Sequence, residues 1–185
     1  MKDVMIDFET LGKGPNKAVC QIGAVFFDNV TGELGAEFRA NIDARSHEKC
    51  GGVVDADTVY WWLKQSEQAR ASITEQGQDI HTVMSDLNFF LTPAARIWSH
   101  ATFDFVTLVN VLHQLNIKPG FSYKAGMDLR TLVYLAGISV SDFPREGVHH
   151  DGLADAKHQV KYTVAALNAI KTNKVAIRML ERLAK

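Results

Sequence analysis

Apolar residues along the chain change their period about a third of the way through. Val4 to Phe8 is a short apolar run closed by Gly12, Gly14 and Pro15, which predicts a strand ending in a turn. Val19 to Phe27 predicts a second strand, ended by Asp28-Asn29 and Thr31-Gly32, and Gly35 to Ile42 alternates well enough for a third. Short links between consecutive strands favour antiparallel pairing, so the chain should open as a meander. After Gly51-Gly52 the spacing becomes helical. Asp57 is placed to cap a helix with Val59, Trp62 and Leu63 on its apolar side, and Ile80 to Leu91 carries Ile80, Val83, Met84, Leu87 and Phe90 at helical spacing. Arg96 to Ser99 reads as a brief strand, Phe103 to Leu115 as a helix stopping before Pro119-Gly120, and Asp128 to Ala136 as a helix ended by Gly137. A polar loop, Ser139 to Gly152, precedes a long helix from about Leu153 to Ile170 and a separate basic helix from about Lys174 to Ala184. Antiparallel strands followed by alternating helices and strands predict an α/β architecture, a mixed sheet covered by helices.

Composition narrows this picture. At roughly 150 residues per domain, a chain of 185 residues reads as a single domain over 1–185. With 46% hydrophobic and 22% charged residues it is neither disordered nor a bare coiled coil. A net charge of -1 excludes the strongly basic class that coats DNA non-specifically. The charge is uneven, however: residues 157–185 carry seven bases against the single acid Glu181, a local +6, so the rest of the chain carries -7. A basic segment beside an acidic body suits a carboxylate metal site next to something that binds phosphate, and equally suits a solvated amphipathic helix. Cys20 and Cys50 are too few and too far apart for a disulfide framework or a zinc site. No apolar run approaches the roughly 18 residues needed to span a bilayer, so the expected setting is soluble, reducing and cytoplasmic.

Candidate chemistry begins with Asp7-Phe8-Glu9 at the end of the first strand. The two acids share a face about 6.5 to 7 Å apart, and like charges so placed cost stability unless a cation lies between them or one is protonated. A lone D-x-E is most often a solvated turn. Asp104 opens the helix after the Arg96 to Ser99 strand, and Asp155 lies in the first turn of the long helix; alone, each is an ordinary helix N-terminal acid. Together the four carboxylates suit two hard divalent cations, Mg2+ or Mn2+. His150, in the Gly-containing loop five positions before Asp155, has the ordinary pKa, about 6.5, of a general base near neutrality.

These residues resemble a known family. Asp7-x-Glu9-Thr10, Phe103-Asp104 and His150-x-x-x-x-Asp155 look like the motifs of the DEDDh 3'-5' exonucleases of the RNase T and DnaQ-like group, which have the ribonuclease H-like fold. Met5-Ile6-Asp7-Phe8-Glu9-Thr10-Leu11-Gly12, Trp61-Trp62-Leu63 with Gln65-Ser66, and His150-Asp151-Gly152-Leu153-Ala154-Asp155-Ala156 bring the resemblance closer to the RNase AS and DexA type of small phage, prophage and bacterial exonucleases. The tyrosine variant of the superfamily would have Tyr where Asp151 stands, and His149 is one place too early for the pattern. The resemblance implies a five-stranded mixed sheet, a meander followed by parallel strands. It implies that Asp7, Glu9 and Asp155 hold one Mg2+ or Mn2+ ion, that Asp7 also reaches a second, which Asp104 supports directly or through water, and that His150 activates water. It also implies that Thr10 and Leu11 meet the 3' terminus, with Leu11 wedged against the last base, and that the protein is a homodimer. The implied substrate is the 3' end of single-stranded nucleic acid, RNA favoured and DNA the alternative, with nucleoside 5'-monophosphates as products.

Other signals are weaker. Trp61 and Trp62 face different directions on a helix, so one should pack in the core. Asp128 reads as a helix cap, Arg130 as a candidate phosphate contact and His158 as a structural hydrogen-bonding residue. An endonuclease of the same fold and a non-catalytic nucleic-acid-binding module remain open alternatives.

Overall fold

The computed structural model of the chain describes the backbone of residues 1–183 and the side chains of residues 1–173. Strands β1 (Asp3–Thr10) and β2 (Val19–Phe27) are buried along their whole length, as befits a sheet covered on both faces. With β3 (Leu34–Asn41) they form the expected antiparallel meander. Four helices, α1 (Ala44–Glu48), α2 (Ala56–Leu63), α3 (Glu67–Thr74) and α4 (Ile80–Leu91), lead to β4 (Arg96–Ser99). Then α5 (Asp104–Gln114) leads to β5 (Gly126–Asp128), and α6 (Leu129–Ala136) and α7 (Gly152–Leu183) follow. The sheet order is β3-β2-β1-β4-β5, with β4 and β5 parallel to β1, so the α/β mixed five-stranded sheet is present.

The strand's period of two divides β1 between two cores. Val4, Ile6 and Phe8 pack with α4 and α5. Met5 packs on the other face with α6 and α7, and Asp7 and Glu9 follow it on that face. Strand β4 pairs with β1 only over Asp3–Met5. The carboxyl end of β1 therefore runs past its neighbour into a crevice, where open α/β sheets bind ligands.

Several expectations need correction. The cap of α2 is Asp55, whose side chain accepts from the Asp57 N–H, and not Asp57 itself. Helices α1 and α3 were not foreseen; they are short, and capping by Asp43 and Ser66 holds them more than any apolar stripe. The separate basic helix does not exist as such. One helix runs from Gly152 to Leu183, because Lys171-Thr172-Asn173 contains neither Gly nor Pro to stop it. The side chains of 174–183, and Ala184 and Lys185 altogether, lie outside the described residues. Among the described residues no helix is long and apolar enough to cross a membrane.

Candidate active site

Four carboxylates from three regions of the chain line one hollow of about 660 Å³. Asp7 and Glu9 come from the end of β1, Asp104 from the first turn of α5 and Asp155 from the first turn of α7, and all four are buried. Ligand oxygens of Asp7, Glu9 and Asp155 lie within 4.8 Å of one another.

Local structure fixes three of the four acids. Asp104 Oδ1 accepts from the Phe8 N–H at 3.2 Å and Oδ2 from the His100 N–H at 3.1 Å. Phe8 lies beyond the β1–β4 pairing, so Asp104 takes an N–H that no strand claims. Gln159 Nε2 donates to Asp7 Oδ1 at 2.6 Å, and the Arg145 guanidinium donates to Asp155. Asp155 reaches the sheet because α7 starts almost on the backbone of β2: a Cβ on Gly23 would stand 2.1 Å from the Gly152 carbonyl carbon. The Gly152 N–H donates to Gln21 Oε1 at 2.6 Å, and Asp151 Oδ1 caps the helix by accepting from Ala154 N–H.

Burial, then the neighbouring charges of Asp104, Glu9 and Asp155, push the Asp7 carboxyl well above its ordinary pKa. Burial, with Asp155 and Asp104, pushes Glu9 up to about 8. Burial pushes Asp104 up to about 7 against the two backbone N–H groups that stabilise its charge. Buried acids gathered in this way repel one another until cations neutralise them. An all-oxygen cluster fits Mg2+ or Mn2+.

His150 lines the same hollow, and its ring offers a nitrogen within 4.8 Å of an Asp155 oxygen. Its backbone is left-handed, φ 65°. Trp61 and Trp62 meet its ring edge-on at 4.8 and 5.8 Å, and His149 stacks on it at 3.8 Å. Burial, then His149, hold the His150 pKa below its ordinary value despite Asp155.

A second hollow of about 360 Å³ adjoins the first, sharing Phe8, Glu9 and Phe103 with it, and is walled by Thr10, Trp61 and Trp62. Trp62 is buried, and its Nε1 donates to the Thr10 carbonyl at 2.9 Å; Trp61 is exposed. Leu11 is not among the residues lining either hollow; it lines another beside Cys20 and Ile42. Its N–H donates to the Ala18 carbonyl, and its carbonyl accepts from Asp55, the α2 cap. Asp128 caps α6 and also accepts from the Ala101 N–H. Arg130 lines the main hollow, as does His158, whose Nδ1 is buried without a partner among the described residues.

Sequence reasoning missed Gln159, Arg145, Lys17 and His100. Gln159 stands four residues after Asp155 and so on the same helical face, a signal that was available. Arg145 lies in the loop with no pattern around it. Lys17 Nζ is buried, donates to Thr107 Oγ1 at 2.8 Å and lies 4.2 Å from the Phe103 ring centroid, which steadies the start of α5. Only folding could disclose that contact.

Comparison with known proteins places the chain among exonuclease relatives in sequence and fold. An alignment 138 residues long is 27% identical to an exodeoxyribonuclease of Enterobacteria phage T4, covering 66% of this chain and 60% of that protein. The fold matches the zinc-bound E. coli exonuclease I in complex with single-stranded DNA, with TM-score 0.61 and 17% identity, over 92% of this chain and 40% of that one. It also matches a 3'-exonuclease solved for its 3'-end recognition of the histone mRNA stem-loop, with TM-score 0.64 and 14% identity, over 90% and 81% of the two chains. The chain thus spans less than two thirds of the phage relative and of exonuclease I. The family model of the Rv2179c-like 3'-5' exoribonuclease domain matches residues 2–167, and the chain belongs to that family.

Proposed function

We propose that this protein is a divalent-metal-dependent 3'-5' exonuclease, one catalytic domain over 1–185, that shortens single-stranded nucleic acid and releases nucleoside 5'-monophosphates. The observation that carries the reading is the convergence of Asp7, Glu9, Asp104 and Asp155 on one hollow with His150 at its edge. In this reading Asp7, Glu9 and Asp155 hold one Mg2+ or Mn2+ ion, and Asp7 with Asp104 holds a second. When bound, such paired ions activate water and neutralise charge on the leaving oxygen of an in-line displacement.

The chain's own residues do the rest. An imidazole nitrogen of His150 takes the water's proton; with its pKa held down, the ring is the free base at neutral pH. Arg130 and Arg145, both lining the main hollow, face the phosphodiester. Glu9 stands between the two hollows, so the terminal nucleoside occupies the smaller one with its 3'-hydroxyl against Glu9 and the Thr10 segment. Its base then meets the faces of Trp61 and Phe103, an aromatic setting that suits any base. Leu11 contributes through its backbone link to the cap of α2 rather than as the wedge itself.

RNA is the favoured substrate because the matching family is one of exoribonuclease domains. DNA is the second reading, favoured by the phage exodeoxyribonuclease. Matched 5'-labelled RNA and DNA oligomers incubated with Mg2+ or Mn2+ test both: faster shortening of RNA is expected, faster shortening of DNA supports the second reading, and no shortening of either removes the function. Cleavage of circular single strands would instead indicate an endonuclease. The family resemblance also implies a cytoplasmic homodimer, for which sedimentation at twice the chain mass is the expected result.

A further inference from the structure

The geometry points to His100 as a direct ligand of the second metal ion, making that position a mixed carboxylate–imidazole site that prefers transition-metal ions to Mg2+. The inference rests on the two-ion reading above. A ring nitrogen of His100 and carboxylate oxygens of Asp7 and Asp104 all lie within 4.8 Å of one another. Ligands sharing one ion at bonds of about 2.1 Å stand at most about 4.2 Å apart, so small side-chain rotations bring the group to coordination spacing.

Three features suit this histidine to the role. It sits in the turn that starts α5, where its N–H donates to Asp104 Oδ2 and its carbonyl accepts from the N–H groups of Phe103 and Asp104. Its Cα is thereby tied to the carboxylate it would join. Its ring nitrogens make no hydrogen bond among the described residues, although the residue is half-buried and lines the main hollow. Asp104 is meanwhile partly committed, since each of its oxygens already accepts a backbone N–H; a nitrogen donor from His100 makes up the shortfall.

A second observation comes from the opposite wall. Gln159 is buried, its Nε2 holds Asp7 Oδ1, and its Oε1 has no partner among the described residues. Buried amide oxygens are rarely left unpaired. A water on an ion held by Asp7 would be a donor to that oxygen.

The consequence is selectivity. Imidazole suits borderline transition ions, while Mg2+ takes oxygen ligands and keeps its waters. Removing His100 should therefore weaken Mn2+ at the second position roughly 10- to 100-fold, the range seen when a metal ligand's support is lost, and weaken Mg2+ much less.

Calorimetric titration with Mn2+ and Mg2+, combined with electron spin echo modulation of the bound Mn2+, tests this without reading activity. The modulation registers a directly ligated imidazole nitrogen. Wild type should bind two Mn2+ with nitrogen modulation; His100→Ala and His100→Gln should lose it, and His150→Ala should keep it. Two bound Mn2+ without nitrogen modulation, or modulation that survives in His100→Ala, overturns the inference and leaves the two-ion reading intact. Fewer than two Mn2+ in wild type overturns both. If neither His100 variant folds, His149→Ala, His150→Ala and His158→Ala decide by elimination: modulation surviving in all three supports His100, and its loss in any one overturns it.

Discussion

Substitution at His150 should separate chemistry from stability. The residue adopts φ 65°, a left-handed conformation that costs a residue with a Cβ roughly 1–2 kcal/mol, and it is wedged between His149 and the edges of Trp61 and Trp62. A strained backbone kept in place by three aromatic neighbours fits a residue whose ring position matters more than its share of the folding energy. His150→Gly should keep stability within about 1 kcal/mol of wild type, because relief of the left-handed strain offsets glycine's extra chain entropy. The same change should slow hydrolysis by ~10² to 10⁴, the usual worth of a general base. Thermal unfolding together with turnover of a labelled oligomer checks it, and a loss of stability matching the loss of rate would make His150 structural. At this scale the sequence pointed to Asp7, Glu9, Asp104, Asp155 and His150, and the fold gathers all five around one hollow. The sequence was not legible for Arg145 or Lys17, whose partners Asp155 and Thr107 are known only once the loops are folded.

Elements deliver those residues by close backbone approach. The start of α7 lies on β2 so tightly that Gly23 and Gly152 leave no room for side chains, and a Cβ on Gly152 would stand 2.8 Å from the Gly23 nitrogen. That contact sets Asp155 beside Asp7. Gly152→Ala should push the first turn of α7 outward, destabilise by about 1–3 kcal/mol as overpacking does, and weaken divalent-ion binding through the displaced Asp155. Denaturant unfolding and metal titration of the variant would measure both, and unchanged metal affinity would mean that Asp155 does not depend on this contact. Strands β2 and β4 and helix α4 follow the sequence pattern residue for residue, the strands as short apolar runs and the helix through its apolar spacing. β5 has three half-buried residues, too few for a period to register, and α1 and α3 depend on caps rather than on a continuous apolar face. The supposed break before Lys174 came from a change in charge, which alters a helix's surface without ending it.

Across the molecule, the gathered acids should make stability depend on pH and on metal. Glu9 titrates at about 8 in the fold against an ordinary 4.5, and Asp104 at about 7 against 3.8. Below the ordinary values the folded and unfolded chains hold the same protons. Between those values and the raised ones the folded chain binds more protons, so stability falls as pH rises. In chelator the melting temperature should therefore decline from about pH 5 to about pH 8. Excess Mn2+ should reverse the decline, since binding displaces those protons. Melting curves in chelator that rise over this range would refute the electrostatic account of the site. The central claim, that acids far apart in the chain act as one metal-binding catalytic unit, is tested most directly by the rate of 3' shortening of a 5'-labelled single strand against free Mn2+, for wild type and Asp7→Asn. The account predicts that chelator abolishes wild-type shortening, that Mn2+ restores it, and that Asp7→Asn is slower than His150→Gly at every Mn2+ concentration. Shortening that persists in chelator, or an Asp7→Asn variant as fast as wild type, would contradict it.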